Sequence, residues 1–208
     1  REDDDWEVRD AARQALINFG SKAKASVLKD LPYLVTSGET DARLTGIELC
    51  GVFGATEARD ALVKVAIYET KGDAAPVLRM FAARALEGCG AAEAAADLLK
   101  NVRADSRLRD HQVYSVRALG YIRHAAAFEG LVGMFDHIDE KGNFEHNETM
   151  LRECELALER LTARRFGRKP DIWRKWYAAA DHPLFPTIEK FDRTANRAEV
   201  KRGGLYGL

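Results

Sequence analysis

The sequence predicts an all-α fold, a right-handed α-solenoid of about five stacked helix pairs. Four observations predict it. An arginine stands 11 residues before a glycine three times, with Arg9, Arg43 and Arg79 preceding Gly20, Gly54 and Gly90. A leucine follows each closing position by eight residues: Leu28, Leu62, Leu98 and, after Arg123 in the glycine's place, Leu131. The closing positions lie 34, 36 and 33 residues apart. Finally, apolar residues within each copy recur at spacings of three and four, the period of a helix face, while strand-like alternation is lacking.

The elements follow in order. The first copy, "EVRDAARQALINFG" and the stretch behind it, predicts helices over roughly 6–18 and 22–31. The second, "ARLTGIELCGVFG", predicts roughly 41–53 with 56–69; the short "LPYLV" before it has neither the length nor the hairpin partner of a strand. The third, "VLRMFAARALEGCG", predicts roughly 76–88 with 91–102. Ala82, Ala85, Leu86 and Cys89 line one side of its first helix, and Ala91, Ala94, Ala95, Leu98 and Leu99 one side of its second. Alanine forms helices best and lets two helix axes approach closely. The fourth, "DHQVYSVRALGYIR", predicts roughly 110–122 with 125–138 and carries Gln112 where an arginine is expected. The fifth, "NETMLRECELALERLTARRFG", predicts a helix over roughly 149–163, and its Ala157-Leu158 repeats Ala15-Leu16, Ala85-Leu86 and Ala118-Leu119. The polar "DEKGNFEHNE" before it stretches the spacing to 39. Its closing helix, roughly 171–181, begins after Pro170 and is bounded by Pro183 and Pro186. Gly20, Gly54 and Gly90 suit tight turns, because glycine adopts left-handed backbone values without penalty. Residues 1–185 form the repeat array, and 186–208 a C-terminal helix or tail.

Composition narrows the function classes. Hydrophobic residues are 46% and charged residues 31%, the balance of a folded soluble chain. The formal net charge of -1 gives no bulk attraction to nucleic acid or anionic membrane. The apolar runs are far too short for membrane insertion. Cys50, Cys89 and Cys154 lie far apart without a CxxC, which reads as buried helix thiols in a reducing, cytoplasmic setting.

The order valine-arginine, two small residues, alanine-leucine and a closing glycine is best kept in "EVRDAARQALINFG". It resembles HEAT repeats, in particular the short bacterial HEAT-like type also found in phycobilin lyases. The resemblance spans most of the chain and implies an armadillo-like helical stack. It also implies that the repeat arginine reaches an acidic residue at a neighbouring repeat's turn. By motif match that structural role falls to Arg9, Arg43 and Arg79, with Asp41, Asp73 and Asp105 or Asp110 as receivers. Gln112 departs from the pattern, so the ladder is expected to stop or change at the fourth copy. The later "FGRKPDIWRKWY" resembles the tryptophan-rich segment that closes such arrays.

Chemistry-bearing motifs are sparse. No HExxH, GxSxG, Walker A loop or GxGxxG occurs. Asp136, His137, Asp139, Glu145 and His146 gather near one loop, where N and O donors suit a divalent ion, but a polar inter-repeat loop is the simpler reading. No His-Glu dipeptide occurs, so the iron-holding dyads of the stacked-repeat monooxygenases are missing. Cys89 has no placed base and reads as a turn thiol. We therefore expect no catalytic, cofactor or metal residue. The strongest surface signal is basic: Arg164, Arg165, Arg168, Lys169, Arg174 and Lys175 surround Trp173 and Trp176. It reads as the cap of the array with its charges in water, or as a partner or nucleic-acid surface. The function expected is a non-catalytic scaffold holding another protein on its concave face. The alternatives are a nucleic-acid-binding repeat protein and a HEAT-like lyase or lyase accessory. Repeat similarity alone transfers neither activity.

Overall fold

The computed structural model describes residues 27–103, 109–138 and 144–179, with Ala11, Ala15 and Asn18 as isolated helical positions. Among the described residues the protein is all-helical, with nine α-helices, one short 3-10 turn and no strand. Helix α1 spans Leu31–Val35 and α2 Thr40–Phe53; the 3-10 turn Thr56–Ala58 leads into α3, Arg59–Tyr68. Helix α4 spans Ala75–Gly88, α5 Ala91–Arg103, α6 Arg109–Leu119 and α7 Ala125–His137. Helix α8 spans Phe144–Thr162 and α9 Pro170–Ala178. The opening helix expected in the first copy, Arg9 included, lies almost wholly outside the described residues, as does the expected C-terminal helix or tail.

The helix ends follow local chemistry. Pro32, Pro76 and Pro170 sit in the first turns of α1, α4 and α9, where a missing N–H costs nothing. "LPYLV", which lacked the marks of a strand, is a short helix. Gly54 ends α2 in the left-handed region at φ 63°, and Gly90 turns α4 into α5 at φ 96°. The fourth copy has Arg123 in the glycine's place. Its regular helix stops at Leu119, and the N–H groups of Gly120, Tyr121 and Ile122 continue as tight bonds three residues back. His124 then caps α7 by accepting from the Ala126 N–H at 3.1 Å. Helix α8 begins at Phe144 rather than at 149. The end of the polar loop joins the helix, with Glu145 in the first turn, where the helix dipole favours negative charge.

Contacts connect helices in two series. The opening helices α2, α4, α6 and α8 meet in sequence, and so do the closing helices α1, α3, α5, α7 and α9. Each closing helix also lies on the next opening helix: α1 on α2, α3 on α4, α5 on α6 and α7 on α8. A single apolar cluster, from Leu31 through Leu62, Leu86, Leu98, Leu119 and Leu158 to Trp173, runs through these contacts.

Small residues set how closely the opening helices approach. A Cβ added to Gly51 of α2 would lie 3.0 Å from the Ala85 Cα of α4, and one on Gly88 would collide with the Gly51 carbonyl. The same repeat positions recur between α6 and α8, where a Cβ on Gly120 would lie 2.9 Å from the Ala157 Cα. The alanine-leucine pair therefore supplies one half of a backbone-to-backbone contact, and a glycine of the preceding copy supplies the other.

Candidate functional site

A polar ladder crosses the described copies at one repeat position. Helix C-termini leave carbonyls without intrahelical partners. In the second, third and fourth copies, the residue at the arginine position reaches back to such a carbonyl on the preceding closing helix. Arg43 of α2 donates through Nε to the Val35 carbonyl at the end of α1, at 3.1 Å, and its guanidinium pairs with the Glu69 carboxylate. Arg79 of α4 donates to the Glu69 carbonyl just beyond α3. Gln112 of α6 donates through Nε2 to the Val102 carbonyl near the end of α5, at 3.0 Å. Cations near a helix C-terminus also complement its dipole.

The carboxylate paired with Arg43 is Glu69, where Asp41, Asp73 and Asp105 or Asp110 were the expected receivers; no motif in the sequence singles Glu69 out, and its signal is its place just past a closing helix. Arg79 is 5% exposed and lies over the Tyr114 ring, 4.1 Å from its centroid. Burial lowers its pKa from the usual guanidinium value, against the opposing pull of Tyr114. At the fourth copy the ladder changes rather than stops. Gln112 supplies the donor without the charge, and its Oε1 meets His146 Nε2 at 2.9 Å. Burial, with Arg109 adding to it, holds the His146 pKa below the usual histidine value. Arg9 and Asp105 lie outside the described residues.

Among the described residues, some cations of the basic end are paired with carboxylates and others are not. Arg168 forks onto Glu148 with contacts of 2.8 and 2.5 Å and lies 3.6 Å from Glu155. Hydrogen bonding from Arg168 holds the Glu148 carboxyl below its ordinary range. Arg174 pairs with Asp136 and lies 3.4 Å from Asp171, and Arg165 lies 3.3 Å from Glu159. Arg164, Lys169 and Lys175 are exposed and meet no carboxylate among the described residues.

Beneath these charges, Trp173 is fully buried and donates through Nε1 to the Gly167 carbonyl at 2.8 Å. Its ring meets Phe166 edge-on at 4.7 Å, while Tyr177 stacks on Phe128 at 4.5 Å. Ile172, between Asp171 and Trp173 on this helix, is 42% exposed. The inward stripe is Trp173, Trp176 and Tyr177, and Ile172 sits one helical step off it.

Of the residues considered for a metal, Asp136 is paired with Arg174, His146 meets Gln112, and Asp139 lies outside the described residues. No group of three or more His, Cys, Asp or Glu is arranged to hold an ion among the described residues. The three thiols are buried. Burial pushes Cys50 up to about 12 and Cys89 up to about 11, and raises Cys154 further. Cys89 donates to the Cys50 carbonyl at 3.2 Å, tying α4 to α2.

Two large side chains on closing helices remain open. Tyr33 of α1 is 76% exposed and Tyr68 of α3 is 49% exposed. Tyr68 is steadied by an edge contact to His111 at 4.6 Å and a 3.3 Å bond from its hydroxyl to Asn101. No described helix is long and apolar enough to cross a membrane. No family model matches the chain, and no curated protein matches its sequence.

Proposed function

We propose that the chain is a non-catalytic helical-repeat scaffold, a right-handed α-solenoid of HEAT-like pairs that holds another protein on its concave face in the cytoplasm. The observation that supports this most is the ladder Arg43, Arg79 and Gln112. One side-chain position plays the same structural role in three successive copies, as expected of repeats that stack on their neighbours. The groups with chemical potential also serve the packing. The thiols are buried and protonated, and Arg168 and Arg174 hold α8 and α7. Tyr33 and Tyr68 are aromatic anchors of the type enriched where proteins meet.

Affinity capture from native lysate, with mass spectrometry of the retained proteins, tests the proposal. A discrete protein should be retained by the wild type and lost with Tyr33→Ala/Tyr68→Ala. An identical retained set with the double variant would contradict the tyrosine surface; nucleic acid as the sole ligand would contradict the protein partner.

Arg164, Lys169 and Lys175, exposed and without a carboxylate partner among the described residues, favour one second reading, nucleic-acid binding through phosphates. That reading requires affinity that falls steeply with salt and weakens on Arg164→Ala/Lys169→Ala.

A further inference from the structure

Three residues before its closing position, the second copy carries Gly51 and the fourth Gly120, each in near-contact with the next opening helix. The third copy carries Glu87 there. The repeat register sets Glu87 opposite Ala118, but its carboxylate turns instead to Arg123 Nε at 2.8 Å, on a partly solvated edge. Helix α4 consequently meets α6 less extensively than α2 meets α4, and α3 reaches across to α6. The Arg79 guanidinium, over the Tyr114 ring, occupies this junction beside a crevice lined by Ala66, Tyr114 and Ala118 that is too narrow for water. The closing helices behave in the opposite way. Leu99 of α5 presses on α7 at Gly130, where a Cβ would lie 2.5 Å from its Cδ1. The edge at Leu99 is tight and α3 and α5 both pack on α6, while the direct approach of α4 to α6 is held by an ion pair and a cation over a ring.

We propose that the α4–α6 junction is the joint at which the molecule bends, with Leu99 on Gly130 as pivot and Glu87–Arg123 as latch. The proposal rests on the stacked-pair reading above. Interlocked backbones resist small displacement, whereas a partly exposed ion pair contributes little stability and is screened by salt.

Spin labels on exposed positions test it, since the native thiols are buried. Val52→Cys/Lys100→Cys reports the second and third copies, Glu129→Cys/Leu156→Cys the fourth and fifth, and Val52→Cys/Leu156→Cys spans the joint. The spanning pair should give a distance distribution about twice as wide as either other pair, and Arg123→Ala should widen that distribution alone. A spanning distribution no wider than the other two, or one unmoved by Arg123→Ala, would overturn the joint. A spanning mean distance no longer than the other two would overturn it differently, by removing the stack beneath it.

Discussion

At the scale of single residues, position in the repeat decides what a side chain does. Arg79 and Gln112 occupy one repeat position with different charges, yet both answer a carbonyl at the end of the preceding closing helix. The shared requirement is a donor of sufficient reach, which is why glutamine can replace arginine. Arg79→Ala removes both the donor and the stack on Tyr114 and should cost about 1.5–3 kcal/mol, because bonds to charged groups lie in that range. Arg79→Gln should cost clearly less, and urea denaturation of the two variants measures the difference. A second residue-level expectation concerns the thiols. With Cys50 held up at about 12 and Cys89 at about 11, and all three cysteines buried, thiolate is scarce at pH 8. The native protein should therefore react with a thiol-specific disulfide reagent only as it unfolds; prompt reaction of one equivalent would place a cysteine at the surface.

At the scale of elements, the glycine-alanine contacts and the tryptophan cap carry the packing. Ala85 faces Gly51 with no room between them, so Ala85→Leu should overpack the α2–α4 contact and cost about 1–3 kcal/mol. Chemical denaturation indistinguishable from wild type would show that this face is open. Trp173→Ala should cost about 3–5 kcal/mol, since the ring is fully buried over Phe166 and near Phe128. Ile172→Ala, on the exposed side, should shift the thermal melt little, and an equal loss from both would place the cap elsewhere. Helix positions from the second copy onward were legible because three- and four-residue spacing survives there, whereas the first closing helix, expected over roughly 22–31, is a turn at 28–30 with a short helix beyond it. The start of α8 was not, because "DEKGNFEHNE" reads as a loop by composition while its last residues join a helix that begins among acidic side chains. The end of α6 was blurred for a related reason: without a closing glycine the helix tightens into short turns instead of stopping.

At the scale of the whole molecule, the sequence declares repetition more clearly than purpose. The interval from arginine to closing position repeats, and the ladder and close contacts recur with it. Glu69 was hidden because its partner Arg43 lies 26 residues away, a pairing that no local spacing announces. The exposed tyrosines were hidden because a tyrosine on a helix reads as core or surface with equal ease until its face is known. The central claim is that helix pairs stack in chain order on their neighbours. Spin-label distances from Lys64 of α3 to Lys100 of α5, Glu129 of α7 and Lys175 of α9 test it most directly. Stacked pairs predict a mean distance that grows with every pair crossed, by about 8–10 Å each, the spacing of packed helices. A Lys64–Lys175 distance shorter than Lys64–Glu129 would mean that the helices close into a bundle, and would contradict the account.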